Sequence, residues 1–231
     1  MWCSFIPARL AAVPFCVLIL IICFSADSIA QTSDPKFLSA PDFKLSAEAV
    51  SAGIDGAFKV ALSIDEEGNV KSVRMYGDPV WPCDTSPKRE IEAVRDAVEA
   101  HLRLLKFSPA MKNGKPRKSE VMLEFAIGDA FKHAVAPGEA KNGSSPKLVK
   151  GGVLNGRAIR LVKPLGPTAK GIVDMQVLIN EQGNVSKAGA LAGNPALFTV
   201  VREAACASKF SPTSLGGTPV KVTGVITYVI Q

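Results

Sequence analysis

Apolar and polar residues alternate strictly from Phe58 to Ile64. Phe58, Val60, Leu62 and Ile64 share one face, and Lys59, Ala61 and Ser63 share the other. A period of two predicts a half-buried β-strand. Asp65-Glu66-Glu67-Gly68 reads as a hairpin connection, with glycine where a positive φ is wanted, and Val70–Tyr76 as the returning strand. After a loop at 77–85 that carries Trp81 and Cys83, the period changes. Ile91, Val94, Val98, Leu102 and Leu105 recur every three or four residues, which predicts one apolar stripe on an amphipathic helix. Ser86 is the expected N-cap and Pro87 the first helical residue. The helix must stop before Ser108-Pro109. Asn113-Gly114 makes a turn, and Val121, Leu123, Phe125 and Ile127 alternate again as a closing strand.

The same order returns downstream. Val173, Met175, Val177 and Ile179 form the inward row of a first strand, and Asn180-Glu181-Gln182-Gly183 is its turn. Asn194 caps a helix that Pro195 starts and that carries Leu197, Val200, Val201 and Ala204. Val220, Val222, Ile226, Tyr228 and Ile230 close the unit. Gly224 lies in that row, which suggests a bulge or a close backbone approach. Two anchors repeat almost letter for letter. Gly68-Asn69-Val70 matches Gly183-Asn184-Val185 at an offset of 115, and Lys106-Phe107-Ser108-Pro109 matches Lys209-Phe210-Ser211-Pro212 at an offset of 103. The first copy therefore carries 12 more residues between its anchors.

The expected architecture is α+β, as two small domains. Each is a short antiparallel sheet of strand, strand, helix, strand, with the helix packed on one face. Residues 45–128 form the first and 151–231 the second. Residues 31–44 are a leader, with a short helix expected over Leu45–Ala52 where the first domain begins. Residues 129–150 are a linker rich in Pro, Gly, Ser and Lys. Asn155-Gly156 suggests a small additional hairpin.

The N-terminal 30 residues read as targeting. Arg9 precedes an apolar run from Leu10 to Phe24, and Ser28-Ile29-Ala30 supplies small residues before Gln31. These are the parts of a secretory signal peptide, and the run is short of the ~20 residues that span a bilayer. Export to the periplasm is the expectation, and an uncleaved inner-membrane anchor is the alternative. Three of the five cysteines lie in this segment, leaving Cys83 and Cys206. In an oxidising compartment these two either pair, bridging the two domains, or stay free. Removing the segment also removes Arg9 and Asp27, so 26 basic and 20 acidic residues remain and the net charge stays at +6. A mild positive charge suits an anionic envelope surface or acidic partners and is too dispersed for nucleic acid. The densest basic run is Lys112-Asn113-Gly114-Lys115-Pro116-Arg117-Lys118. It reads as a solvated turn, or as a contact for anionic polymer or lipid head groups.

Chemistry is thinly represented. The histidines are His101, on the first helix, and His133, in the linker. No Gly-x-Ser-x-Gly turn, Cys-x-x-Cys pair or glycine-rich phosphate loop is present. No enzyme, cofactor or metal is expected.

The ordered pattern, taken with its duplication, resembles the C-terminal domain of TonB, the energy transducer of Gram-negative envelopes. The likeness spans 45–128 and 151–231. It is closer in the second copy, through Gly151-Gly-Val-Leu-Asn-Gly-Arg-Ala158, Gly183-Asn-Val185, Lys209-Phe-Ser-Pro212 and Gly217-Thr-Pro-Val-Lys-Val222. The resemblance implies a three-stranded antiparallel sheet with helices on one face. It also implies that a periplasmic segment of an outer-membrane transporter adds to the sheet as a strand. The elements implied are the closing strands 118–127 and 220–230. Within them Val220, Val222, Gly224, Ile226 and Tyr228 are the partner-binding candidates, because the second copy carries the closer likeness. A scaffold is the alternative, in which edge strands pair with each other or in a homodimer. Membrane contact is expected only through the N-terminal segment, if it is retained. The 14 residues of the leader reach about 50 Å when extended, which leaves both an anchored transducer and a free periplasmic module open.

Overall fold

The computed structural model describes residues 32–128, 148–167 and 169–231. The N-terminal segment, His133 and most of the expected linker lie outside them. The architecture is α+β, with mostly antiparallel strands in several small sheets and few helices. Gln31–Gln231 groups as one unit, and it holds two apolar cores.

The first core starts at the leader. Short strands β1 (Thr32–Ser33) and β2 (Phe37–Ser39) precede helix α1 (Ala47–Ser51). The Ser46 hydroxyl caps α1, accepting from Ala49 N at 3.2 Å. Strand β3 (Gly56–Ile64) buries the whole row Phe58, Val60, Leu62 and Ile64. Strand β4 (Val70–Tyr76) returns beside it, and β5 (Trp81–Pro82) lies in the loop that follows. Helix α2 (Lys88–Leu102) buries Ile91, Val94, Val98 and Leu102 in the same core as the β3 row. It starts later than expected. Pro87 occupies the cap with φ −82° and ψ 63°, and Ser86 offers its carbonyl to Lys88 N at 2.9 Å. Proline at the cap leaves Ser86 one residue too far back for its hydroxyl to serve. Strands β6 (Lys106–Phe107), β7 (Ala110–Lys112) and β8 (Lys115–Arg117) lead into β9 (Ser119–Ile127). The main sheet runs β4-β3-β9, all antiparallel.

The second core repeats this and adds to it. Strand β10 (Leu148–Val153) takes three residues of the expected linker. No hairpin forms at Asn155-Gly156. Asn155–Arg157 is a single 3-10 turn, and β11 (Ala158–Arg160) pairs elsewhere, with β14 (Lys209–Phe210). Strand β12 (Gly171–Ile179) buries Val173, Met175, Val177 and Ile179, and β13 (Val185–Gly193) pairs with it. Asn194 caps the 3-10 turn Pro195–Leu197, accepting from Ala196 N at 3.1 Å, and helix α3 (Phe198–Cys206) follows directly. Strand β15 (Thr213–Leu215) forms a hairpin with β16 (Thr218–Ile230). The sheet order is β10-β16-β12-β13-β5, parallel between β10 and β16 and antiparallel elsewhere.

The two repeated sequence anchors touch in space, which explains why they repeat together. Phe107 N donates to Gly68 O at 3.0 Å, and Phe210 N donates to Gly183 O at 2.9 Å. Lys106 Nζ reaches Asn69 Oδ1 and Lys209 Nζ reaches Asn184 Oδ1, both at 2.7 Å. Each turn is held by the side chain that opens it. Asp65 Oδ1 accepts from Glu67 N at 3.0 Å and Asn69 N at 2.7 Å, and Asn180 Oδ1 accepts from Gln182 N at 3.1 Å and Asn184 N at 2.9 Å. Burial alone would raise the Asp65 pKa. The backbone and side-chain amides of Asn69, then Lys71 and Glu67 N, outweigh it and hold the carboxyl well below the usual range.

This difference between the turns is testable. A carboxyl with a depressed folded pKa stabilises the fold above its unfolded value near 3.8 and loses that contribution as pH falls through the folded value. Asp65→Asn copies the second turn. It should melt below the parent at pH 7, approach it in acid, and so show a smaller drop in Tm between pH 5 and pH 2, as read by circular dichroism. An unchanged drop would rule out Asp65 as a source of acid sensitivity.

Candidate functional site

The five candidates on the last strand do not present an open edge. Val222, Ile226 and Tyr228 are buried in the second core, and Val220 is buried where β16 pairs with β15. One flank of β16 pairs with β12 from Ile179↔Val222 to Gly171↔Ile230. The other is occupied by β10, with Leu148↔Lys221, Val149↔Val222 and Lys150↔Thr223 in register before a shift to Val153↔Val225. Past the end of β10, Leu154 N donates to Val225 O at 2.9 Å. The Asn155 side chain then imitates one more strand residue. Its Nδ2 donates to Thr227 O at 2.6 Å, and its Oδ1 accepts from Thr227 N at 2.9 Å.

Gly224 is the position that allows this closure. A Cβ there would lie 2.7 Å from both Gly152 O and Leu154 Cδ1. This is the close approach that a glycine within the strand suggests. Leu154 itself is buried in the second core, in the space a side chain at 224 would take.

The first copy resolves the same position differently. The register of β9 on β3 places Ser119 opposite Ile64, as Val222 lies opposite Ile179. Val121 therefore stands where Gly224 stands and supplies its own side chain. Among the described residues no strand pairs with the outer flank of β9. The inward row Val121, Leu123 and Phe125 is only half-buried there. Phe125 closes one end of that row in a cluster with Phe43 and His101, at ring separations of 5.3 and 5.3 Å, with Phe43 and His101 5.1 Å apart. His101 is thus a packed ring whose pKa burial pushes down. Glu120, Met122 and Glu124 project from the opposite face. By the repeat they match Thr223, Val225 and Thr227, the residues whose outward groups β10, Leu154 and Asn155 engage in the second copy.

A second constellation joins the copies. The longer loop of the first copy carries β5, which adds to the second sheet through Trp81↔Ala188 and Pro82↔Lys187. Cys83 and Cys206 are joined by a disulfide, with their Cα atoms 5.7 Å apart. Arg202, one turn earlier on α3, lies 4.0 Å from the Trp81 ring centroid. It donates to Pro82 O at 2.7 Å, Trp81 O at 3.2 Å and Ala188 O at 3.1 Å. Burial pulls its pKa down to about 10 against the opposing pull of Glu203, so the guanidinium stays charged at neutral pH and its donors stay matched. Lys187 pairs with Asp55 and donates to Gly53 O at 2.7 Å. Gln176 Oε1 accepts from Ala57 N at 2.9 Å. Trp81 is half-buried against the first core and serves both copies.

Sequence patterns pointed to Trp81, Cys83 and Cys206 but missed Arg202, Lys187, Asp55, Gln176 and Asn155. Arg202 beside Glu203 on the mostly apolar α3, and Gln176 on the face of β12 opposite its inward row, were the available signals. Among the described residues, no group of three or more His, Cys, Asp or Glu is placed to hold a metal ion. No described helix is long and apolar enough to cross a membrane. No protein-family model matches the chain, and no curated protein matches it.

Two substitutions test this geometry. Gly224→Val overpacks the Leu154 contact and should cost about 1–3 kcal/mol, with amides of 148–154 losing exchange protection before the rest of the second core. Equal protection in variant and parent would contradict the closure. Cys206→Ala opens a covalent link between residues 123 apart and should lower unfolding free energy by about 2–4 kcal/mol in denaturant titration. No change would contradict a disulfide in the native protein.

Proposed function

We propose that the chain is a non-catalytic cell-envelope protein of two domains resembling the TonB C-terminal domain. It takes up an extended segment of a partner protein by strand addition. The reading places the chain in the periplasm, exported by its N-terminal segment, with an outer-membrane transporter segment as the natural class of partner. One observation carries it. Two copies share one register, and the second has its outer flank filled by β10 while the first has no strand there among the described residues.

This moves the expected binding edge from β16 to β9. The physical reason is that the outward N–H and C=O groups of 221–227 already have partners, so an incoming segment would have to displace them. At β9 the outward groups of Glu120, Met122 and Glu124 are the available ladder. The half-buried Val121, Leu123 and Phe125 offer apolar contact to alternate side chains. Scaffolding within the chain is favoured for the second copy alone, whose two sheet flanks are taken by β10 and β5.

Hydrogen exchange with synthetic peptides from the periplasmic faces of outer-membrane transporters tests the proposal. A binding peptide should slow the amides of Met122 and Glu124 and leave 220–230 unchanged. Met122→Pro removes one outward N–H without touching the ladder to β3, and should weaken binding about tenfold or more. Protection confined to β16, or no protection at saturation across the peptide set, would overturn it.

A further inference from the structure

The β7–β8 hairpin of the first copy is matched in the second by β15 and the start of β16. The turns have the same backbone. Asn113 and Gly114 have φ of 52° and 74°, and Gly216 and Gly217 have φ of 55° and 82°. The side chains differ. Lys112, Lys115, Arg117 and Lys118 correspond to Leu215, Thr218, Val220 and Lys221. One molecule therefore builds the same hairpin with four basic residues and with one, so the charges of Lys112, Lys115 and Arg117 are not needed for the fold. Lys106 gives the contrasting case, because it and its counterpart Lys209 both hold the Asn-containing turns.

The cluster is also unneutralised. None of its four residues has a carboxylate within 4.0 Å among the described residues. Arg117 makes one long hydrogen bond, from Nη1 to Lys118 O at 3.4 Å, and its Nε has no acceptor. The sequence from 106 to 118 contains no acidic residue. Beside it runs the 32–39 segment, with Thr32↔Lys112, Ser33↔Met111 and Phe37↔Phe107 in register. That segment brings one acid, Asp34, together with exposed Lys36, Phe37 and Leu38; the last two are 58% and 63% exposed. Lysines flanked by an exposed aromatic and a leucine fit a surface that offers phosphate at one level and hydrocarbon just below it.

We propose that the β7–β8 hairpin, with the adjacent 36–38 segment, docks the protein on an anionic phospholipid bilayer. This contact is separate from the N-terminal apolar run and independent of strand addition at β9. It departs from the expectation that any membrane contact is through the N-terminal segment alone.

The test is flotation of the full chain with vesicles of phosphatidylcholine, alone or mixed with phosphatidylglycerol, at ~0.1 M salt. Each basic residue near such a surface contributes about fivefold in partition. The variant with Lys112, Lys115, Arg117 and Lys118 all replaced by Gln should therefore lose roughly two to three orders of magnitude on the anionic vesicles. A control replacing the exposed Lys44, Lys59, Lys88 and Arg89 by Gln changes net charge equally and should retain most binding. A third variant, with Lys112, Lys115 and Lys118 replaced by Arg, should bind like the parent and guards against a folding defect in the first. Equal loss in the hairpin and control variants would show a diffuse charge effect and overturn the proposal. So would equal binding of the parent to both vesicle types. Inorganic polyphosphate that strips the parent from vesicles at matched phosphate concentration would point to a soluble polyanion and also overturn it.

Discussion

A sheet edge leaves a row of N–H and C=O groups that must find water or another strand, and most of this molecule follows from how its edges are dealt with. In the second copy both flanks are satisfied from within the chain. Strand β10 and the Asn155 amide cover β16, and β5 covers part of β13. In the first copy the flank of β9 has no described strand beside it. The exchange of Gly224 with Leu154 for Val121 is the side-chain expression of that difference. Where the edge is closed, a neighbour's leucine enters the core. Where it is not, the strand supplies its own apolar group.

The join between the copies depends on the same constraint. Twelve additional residues let the first copy send Trp81 and Pro82 across to extend the other sheet. The Cys83–Cys206 link, the Arg202 guanidinium over Trp81 and the Lys187–Asp55 pair then hold that extension. Arg202 is half-desolvated but spends its donors on three carbonyls, which keeps the cost of its burial low. The copies are thus tied through backbone, covalent and ionic contacts at one place.

Local pattern made much of this legible. Period-two rows located β3, β12, β9 and β16, and the three-four stripe located α2, because burial on one face leaves a direct imprint on sequence. The paired anchors Gly-Asn-Val and Lys-Phe-Ser-Pro were visible as repeats, although only the structure shows that they touch. Strand β10 was not legible. Lys150-Gly151-Gly152 has no alternation, and its strand character comes from a partner some 70 residues away. That the outer flank of β16 is occupied was not legible for the same reason, since whether an edge is open depends on a remote segment and not on the edge's own residues. Asn155 read as a turn former when its amide acts as a strand substitute. The disulfide was one of two open alternatives, and nothing local could choose between them.

The central claim is that the two closing strands differ in the state of their outer flanks. Amide exchange of the free chain, resolved by residue, measures this directly. The account predicts fast exchange at the alternate amides Glu120, Met122 and Glu124, and slow exchange at their counterparts Thr223, Val225 and Thr227. Equal protection of the two sets would contradict it.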